Sequence, residues 1–372
     1  MRVGFNGRLF ADHGLRGWNR YTINLVENVQ RDGVQAIVYA SNVVAENHLE
    51  RLERAGVIVR IAPAMSYKRW LLDWLPVQCK QDKICVFHNT YHLGLSPLLS
   101  CPKVVTLHDA IDVDDSRVLA LFSMDTWKRK AAGNVVDHII TRKSASAIVT
   151  VSEYSRRQLM HAFGLRAKRI SVVYAAADPI FKSAPFDPVE IEGKYLFYVG
   201  GFEERKNVDL LIKAFALAKC PDLKLVLAGR MGGSGGRLQE VAQRYELGDR
   251  CQFLGEVKDE DLPALYSNAL AFVYPSLAEG FGLQLCEAMD RGCPVLASNS
   301  TSLPEVLGDG GQTFDARNPG QLAGYIEQLV NDTSFRRKLV ASARRRATVF
   351  SWSQAANEML SVYEKAMGNR GC

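Results

Sequence analysis

The 372-residue sequence lacks any long uninterrupted apolar run, although 47% of its residues are hydrophobic. A membrane-spanning helix needs about 18 or more consecutive apolar residues, so we expect none here. The first residues enter a strand pattern directly, at Val3-Gly4-Phe5, without the apolar core of a signal peptide. We therefore expect a cytoplasmic protein whose apolar residues fill the cores of two domains.

Closely spaced cysteine pairs and nucleotide-binding glycine motifs are also missing. None of the eight cysteines forms a Cys-x-x-Cys pair, which favours reduced core side chains over a zinc site or a disulfide framework. The glycine-rich run at 229–236, which we expect to be a loop, does not match the P-loop pattern, and no Gly-x-Gly-x-x-Gly follows the first strand. These absences disfavour dinucleotide-binding and P-loop enzymes.

Charge is unevenly distributed along the chain. Residues 1–185 carry 25 Lys and Arg against 16 Asp and Glu, whereas residues 186–372 carry 21 against 24, so the halves are net +9 and −3. A basic first half suits a phosphorylated acceptor, an anionic membrane surface or nucleic acid. Nucleic acid is disfavoured because no recognised binding module accompanies the charges.

A basic, Trp-rich segment at 66–76 suits a membrane interface and equally a core-facing helix.

Strand and helix patterns alternate along the chain, which is typical of parallel α/β sheets. The alternation stops at 182–193, where two prolines interrupt it, and starts again at about residue 195. We therefore predict two α/β domains joined by a linker at 182–193.

Residues 272–296 carry the most informative pattern. A buried strand is followed by a glycine-bearing turn at 279–282 and by an apolar-periodic helix that begins near Leu283. The start of a helix offers unpaired N–H groups and a partial positive charge, which suit an anion or sugar hydroxyls. Glu279 and Glu287 bracket that start, and carboxylates accept paired hydrogen bonds from vicinal hydroxyls. A solvated turn acid and an ordinary helix-surface glutamate would give the same spacing.

Two adjacent cations stand near the beginning of the second predicted domain. A strand that ends at Gly200-Gly201 is followed by Arg205 and Lys206 just before a helix. Glycine lets the backbone approach a ligand, and paired cations suit a diphosphate. Because cations at a helix start oppose the helix dipole, their placement favours a binding role over a solvated surface pair.

The first domain offers two further candidate regions. His108 and Asp109 follow a strand, at the sheet edge where α/β proteins bind ligands, although a lone histidine is more often structural. Gly14, Arg16 and Gly17 occupy the loop that precedes the first helix.

Taken together, these motifs resemble the family 4 glycosyltransferases, retaining enzymes of the GT-B fold with a Glu-x7-Glu motif. The likeness is carried by Glu279-Gly280-Phe281-Gly282-Leu283, Glu287-Ala288-Met289, Gly200-Gly201, Arg205-Lys206-Asn207, His108 and Gly17-Trp18-Asn19-Arg20-Tyr21. It extends over nearly the whole chain. Gln284 departs from the family, which commonly has Pro there, and so does Tyr174-Ala175-Ala176, where the family usually has Asn-Gly.

The resemblance implies two Rossmann-like parallel-sheet domains that face each other across a cleft. Residues 1–184 would bind the acceptor, residues 194–350 would bind the nucleotide sugar, and a last helix in 351–372 would pack back on the first domain. GT-B enzymes generally use cations and helix N-termini in place of a metal. The acidic stretch Asp112-Val113-Asp114-Asp115 imitates a metal-binding Asp-x-Asp, and we expect it to bind no metal.

The resemblance also implies roles for individual residues. Glu287 would hold the ribose hydroxyls and Glu279 the donor sugar, while Arg205 and Lys206 would take the diphosphate and His108 would position the sugar. The implied catalytic residues are His108, Glu279, Arg205 and Lys206. The implied donor contacts are Gly17, Gly201, Arg205, Lys206, Glu279, Gly280, Phe281, Gly282, Leu283 and Glu287. The implied acceptor contacts are Gly14, Arg16, His108 and Asp109.

The function implied is transfer of a mannose- or glucose-type sugar from a donor such as GDP-mannose or UDP-glucose. The acceptor would be a saccharide, free or lipid-linked, in the synthesis of cell-surface polysaccharide or glycoconjugates, with or without peripheral contact to an anionic membrane. No residue is convincing as a covalent nucleophile, so we expect front-face displacement with retention and without a metal or other cofactor. A nucleotide-sugar epimerase and a noncatalytic protein that binds sugar nucleotides or glycans remain alternatives.

Overall fold

The structure is a computed structural model, and it describes residues 1–11, 17–92, 94–109, 143–185 and 190–368. The chain divides into two compact units. One contains Met1–Ala175 and the C-terminal residues from Ser351, and the other contains Ala176–Phe350. The predictions for Gly14, Arg16 and residues 112–115 fall outside the described residues.

The first unit is built on a parallel sheet, as predicted. Its described strands are β1 (Arg2–Asn6), β2 (Gln35–Ala40), β3 (Ile58–Ile61), β4 (Val86–Asn89), β5 (Lys103–Thr106), β6 (Ala147–Thr150) and β7 (Ile170–Val172). Their spatial order is β3-β2-β1-β4-β5-β6-β7, and each pairing is parallel. Val3 and Phe5 of β1 are fully buried, as expected where helices cover both faces of a parallel sheet.

Helices flank this sheet. They include α1 (Gly17–Val29), α2 (Glu46–Arg54), α3 (Tyr67–Arg69), α4 (Leu75–Gln81) and α5 (Glu153–Phe163). A π-helical turn at Trp70–Trp74 joins α3 to α4. Trp70 is fully buried, its Nε1–H donates to the Ala40 carbonyl at 3.1 Å, and its ring stacks on Tyr67. Trp70 of the segment 66–76 therefore faces the core, as the core-facing alternative predicts, and contact with a membrane stays a prediction.

The second unit contains another parallel sheet. Its described strands are β8 (Tyr195–Val199), β9 (Lys224–Ala228), β10 (Cys251–Gly255), β11 (Ala271–Tyr274), β12 (Val295–Ser298) and β13 (Gln312–Phe314). Their order is β10-β9-β8-β11-β12-β13. The order reverses at β8, which pairs with both β9 and β11. Such a switch point leaves a crevice at the carboxyl ends of the strands.

The helices of the second unit lie between these strands and after them. They are α6 (Ile180–Ser183), α7 (Val208–Leu217), α8 (Gly232–Arg244), α9 (Leu262–Asn268), α10 (Leu283–Asp290), α11 (Leu303–Leu307), α12 (Pro319–Asn331) and α13 (Thr333–Ala347). Throughout the described ranges, no helix combines the length and the apolarity that a membrane crossing requires.

The boundary between the units falls earlier than the predicted linker at 182–193. Arg291, which follows α10 and is 4% exposed, donates hydrogen bonds to the carbonyls of Phe181, Ala184 and Pro185. These bonds hold α6 and the start of the proline-bearing stretch on the second unit. The assignment of acceptor binding to the first domain and donor binding to the second stays a prediction.

The glycine-rich run at 229–236 is not entirely a loop, because α8 begins at Gly232. The Gly235 N–H donates to the Met231 carbonyl at 2.7 Å, so the helix forms despite the low helix propensity of glycine. Gly229 has a φ of +154°, and a Cβ there would lie 1.9 Å from the Gly200 carbonyl oxygen. Only glycine allows this close approach of two backbones.

Most described cysteines are free thiols. They are Cys79, Cys101, Cys220, Cys251, Cys286 and Cys293. Cys85 is disulfide-bonded, so the prediction of reduced cysteines is wrong at this position. The absence of Cys-x-x-Cys spacing concerns only cysteines that are close in sequence. A disulfide can also join residues that are distant in sequence and brought together by folding.

The last helix, α14 (Trp352–Met367), belongs to the first unit. The Tyr363 hydroxyl lies 2.7 Å from His88 Nδ1, and both side chains are fully buried. The Trp352 ring meets the edge of the Tyr21 ring, 5.7 Å between centroids. Polar and aromatic contacts therefore fix α14 against β4 and α1.

Replacing Tyr363→Phe should lower the free energy of unfolding by about 1–3 kcal/mol, because a buried polar group that loses its partner costs about that much. Chemical denaturation of the variant and of the parent protein measures the difference. Ser361→Ala, an exposed change on the same helix, is the control and should shift stability by less than about 0.5 kcal/mol. Equal effects of the two changes would contradict the prediction.

Stability should also fall as the solution becomes acidic. Burial, and to a smaller extent nearby His108, lowers the pKa of His88 to about 3. An unfolded histidine takes up a proton near pH 6.5, whereas the native protein leaves His88 neutral down to about pH 3. Below pH 6.5 this residue should cost about 1.4 kcal/mol of stability per pH unit.

The change His88→Asn removes this titration. The free energy of unfolding, plotted from pH 7 to pH 5, should therefore fall less steeply in the variant than in the parent protein. Parallel curves for the two proteins would show that His88 does not couple folding to protonation.

Candidate active site

The candidate site lies at the carboxyl edge of the second sheet. Three loops meet there, after β8, after β11 and after β12. The first contains Gly201, Arg205 and Lys206, the second contains Glu279, and the third contains Thr301. Because the three strands are parallel, the loops that follow them emerge on the same side of the sheet, where α/β proteins bind ligands.

Glu279 is the centre of the site, although it is only 8% exposed. Its Oε1 accepts a hydrogen bond from Lys206 Nζ at 2.6 Å and another from the Tyr274 hydroxyl at 2.9 Å. Arg205 Nη1 lies 3.4 Å from the other carboxylate oxygen. The structure thus brings together three residues that the sequence assigned to donor binding, and adds Tyr274.

Protonation in this cluster is set by burial and charge. Burial raises the pKa of Glu279, but Lys206 and Arg205 lower it further, so the pKa lies below its ordinary value. Burial and the charge of Glu279 raise the pKa of Tyr274 well above 10. At neutral pH Glu279 is therefore an anion that accepts hydrogen bonds, and Tyr274 keeps its proton and donates.

The loop that carries Glu279 is fixed through its backbone. The Glu279 N–H donates to the Thr301 hydroxyl at 3.0 Å. The fully buried Ser302 hydroxyl lies 2.9 Å from the Glu279 carbonyl oxygen and 3.2 Å from the Phe281 carbonyl oxygen. Residues that follow β12 therefore position a carboxylate that follows β11.

The loop that carries the two cations is also fixed by hydrogen bonds to its backbone and to the neighbouring Asn207. They lie in a 3₁₀ turn, Glu204–Lys206, which ends at Asn207 with a φ of +57°. The Asn207 side chain donates to the carbonyls of Pro275 and Ala316, and the Arg205 carbonyl accepts from the Leu277 N–H at 2.7 Å. Arg205 keeps a side-chain exposure of 43%, whereas Lys206 is buried. Both cations thus contact Glu279, and Arg205 is in addition open to solvent.

The helix start beside Glu279 depends on a glycine. Gly282 precedes α10 with a φ of +95°, and a Cβ there would lie 2.8 Å from Leu303. A larger residue would strain the backbone and displace that leucine. Gly280, Phe281 and Leu283 therefore stand in one tight turn that leads into the helix, as the sequence predicts.

Glu287 stands in a different environment from Glu279. It lies inside α10, is 2% exposed, and its Oε2 accepts a hydrogen bond from the Tyr266 hydroxyl at 2.9 Å. Tyr266 is fully buried on α9. A bond to a ribose hydroxyl would have to form beside this tyrosine, and that role stays a prediction.

In the first unit, His108 follows β5. Its Nε2 lies 3.0 Å from the Thr90 carbonyl oxygen, and its ring meets the edge of Tyr21, 4.7 Å between centroids. Burial lowers the pKa of His108 to about 4, so the ring is neutral at pH 7. Because a carbonyl can only accept, Nε2 carries the proton and Nδ1 is the basic nitrogen. Gly17 begins α1 and Asp109 follows His108, but their predicted ligand contacts are untested.

The sequence analysis missed several residues that build the site. They are Tyr274, Thr301, Ser302, Gln284 and Tyr266. Tyr274 ends an apolar strand, so it resembles a core residue, and Thr301 and Ser302 belong to no motif. A signal exists for three of them, since Tyr274 ends β11 and Thr301 and Ser302 follow β12 within four residues, whereas Gln284 and Tyr266 lie inside helices. Among the described residues, no group of three or more His, Cys, Asp or Glu could hold a metal ion.

Two family models match the chain. The model described as Glycosyltransferase Family 4 matches residues 15–180, and the model described as Glycosyl transferases group 1 matches residues 184–346. The two matches follow each other along the sequence and together span most of it.

Two similar proteins are named as mannosyltransferases. O-antigen chain mannosyltransferase B of Escherichia coli is 35% identical over 232 residues, which are 59% of this chain and 61% of that protein. Serotype-specific mannosyltransferase WbdA of Escherichia coli is 30% identical over 238 residues, which are 60% of this chain and 29% of that protein. The chain thus spans less than two thirds of either relative.

Solved structures share the architecture. The structure of Anabaena Alr3699/HepE in complex with UDP-glucose matches with a TM-score of 0.77 at 21% identity, over 97% of this chain and 100% of that chain. At this identity the likeness shows the fold. With two parallel-sheet α/β units and both family models matched in succession, the chain belongs to the family 4 glycosyltransferases of the GT-B fold.

Proposed function

We propose that the protein is a retaining hexosyltransferase that moves a mannose- or glucose-type sugar from a nucleotide-diphosphate sugar to a saccharide or glycolipid acceptor. The observation that carries the proposal is the buried cluster of Glu279, Lys206 and Arg205 at the carboxyl edge of the second sheet. The names of the two Escherichia coli relatives support mannose as the sugar and surface polysaccharide as the product.

The two cations would bind the diphosphate of the donor. An ammonium has three N–H donors, so Lys206 can keep its bond to Glu279 and still donate to a phosphate oxygen. Arg205 is exposed enough to turn toward the ligand. Together they would stabilise the negative charge that develops on the leaving nucleoside diphosphate. This arrangement supports a reaction without a metal ion.

Glu279 would bind the hydroxyls of the donor sugar. It is ionised, accepts strongly, and is held in place by Thr301 and Ser302. A carboxylate fixed in this way can orient the sugar over the diphosphate, which lowers the entropic part of the barrier.

We propose front-face displacement, because Glu279 is engaged by two cations and is poorly suited to act as a nucleophile. In this mechanism the leaving phosphate accepts the proton of the acceptor hydroxyl. The product should keep the anomeric configuration of the donor, which NMR spectroscopy of the isolated product can establish. An inverted product, or a trapped glycosyl-enzyme adduct, would exclude this mechanism.

Two substitutions separate the roles of the cation and the carboxylate. Lys206→Met should weaken binding of both GDP and GDP-mannose by about tenfold to a hundredfold, since it removes a charged hydrogen bond to phosphate. Glu279→Gln should weaken binding of GDP-mannose relative to binding of GDP, because the sugar is the part of the donor that the carboxylate would contact. Calorimetry with these ligands, and with UDP and UDP-glucose, gives the four affinities.

The control for this experiment is Lys213→Met, an exposed change on α7 of the same unit. It should leave every affinity within about twofold, because screened surface charges contribute little. If Lys206→Met behaved like the control, the cluster would not be the donor site. If no nucleotide bound to the parent protein, the glycan-binding alternative would replace this proposal.

Metal removal tests the proposed use of cations. The transfer rate should be unchanged after treatment with EDTA, since Arg205 and Lys206 supply the positive charge. A rate that EDTA abolishes and Mg²⁺ restores would contradict this. Turnover of the nucleotide sugar without any acceptor would instead favour the epimerase alternative.

A further inference from the structure

A cationic groove lies at the opposite edge of the second sheet from the candidate active site. Its volume is about 600 Å³, and its walls are α13 and the segments that precede β8, β11 and β12. Because these strands are parallel, the segments before them meet at the amino edge of the sheet. The strands span roughly 13 to 17 Å, so the groove and the candidate active site are separate.

The charge of this groove is one-sided. Its lining includes Lys194, Arg291, Arg336, Arg337 and Arg344, and within the described chain no Asp or Glu lines it. Helix α13 contains six Lys and Arg and no Asp or Glu, although the half of the chain that contains it is net −3. Positive charge is therefore concentrated on this helix against an acidic background.

Two of the five lining cations are already engaged by the protein. Arg291 donates to three backbone carbonyls, and Arg336 donates to one. On the neighbouring face of α13, Arg345 pairs with Asp309 at 2.6 Å, and Arg346 donates to two carbonyls. These side chains need no ligand to explain their positions.

Arg337 and Arg344 are different. Both are exposed, and in the part of the chain that the structure describes neither has a carboxylate within ion-pair distance or a hydrogen-bond acceptor. They are seven residues apart, so they project from one face of α13 about 10 Å apart along its axis. Both side chains therefore reach the same groove with unused donors.

The groove is shaped to admit one of these arginines. Gly292 has a φ of +67°, and a Cβ there would lie 2.6 Å from Arg344 Nε. The guanidinium thus lies against a bare Cα. The N–H groups of Gly292 and Cys293 donate to the carbonyls of Met289 and Ala288. Any anion in the groove would therefore be held by side-chain cations and not by backbone amides.

We propose that this groove binds a phosphate-bearing ligand through Arg337 and Arg344, apart from the donor site. One guanidinium group can donate two parallel hydrogen bonds to two oxygens of the same phosphate, which makes the binding specific in geometry. A soluble polyphosphate compound and a phospholipid headgroup share this chemistry, and the test below separates them.

The test compares the full chain with two double variants. R337Q/R344Q removes the two groove cations, while K338Q/R345Q removes two charges at the same spacing on the same helix but outside the groove lining. Calorimetry with inorganic tripolyphosphate should show binding that is at least about tenfold weaker in R337Q/R344Q. The same binding should stay within about twofold in K338Q/R345Q. The donor site is intact in all three proteins and contributes equally.

Sedimentation with vesicles identifies the source of the phosphate. Binding to vesicles that contain phosphatidylglycerol, but not to pure phosphatidylcholine, and its loss in R337Q/R344Q alone would assign the groove to lipid headgroups. Tripolyphosphate binding lost in R337Q/R344Q alone, without vesicle binding, would assign it to a soluble phosphate compound. If neither probe distinguishes the two variants, the proposal is wrong.

Discussion

The candidate active site depends on one buried contact, between Lys206 and Glu279. Removing two charges from water costs free energy that their mutual attraction restores only in part, so a pair 6% and 8% exposed contributes little to stability. Lys206 alone would be a desolvated charge without a counter-charge, and Glu279 alone would keep only the more distant and more exposed Arg205. The loop after β8 and the loop after β11 must therefore keep their relative positions, and Tyr274, Thr301 and the neighbouring turn preserve them.

The parallel sheet of the second unit makes this arrangement possible with short loops. Each strand delivers the residue that follows it to one edge and the residue that precedes it to the other. Acidic, basic and hydroxyl side chains converge at the carboxyl edge, and cations converge at the amino edge. The two edges of one sheet therefore carry side chains of different chemistry.

Much of this architecture follows from the sequence. Strands buried on both faces are continuous apolar runs, and the helices between them have a period near 3.6 residues, so both units could be predicted. Glu279 and Lys206 stand in recognisable motifs. Tyr274 could not be distinguished from core, because it ends an apolar strand. The bond between Glu287 and Tyr266 depends on packing between two helices, which no local pattern encodes.

The last helix has a consequence for how the chain is made. Tyr363, which completes the surroundings of His88, lies 275 residues further along the sequence. The second unit is continuous from Ala176 to Phe350, so all of it leaves the ribosome before α14 does. At roughly 5–20 residues per second, the last helix is completed roughly 10 to 40 seconds after β7, the last strand of the first sheet. During synthesis the later domain can finish folding before the earlier one.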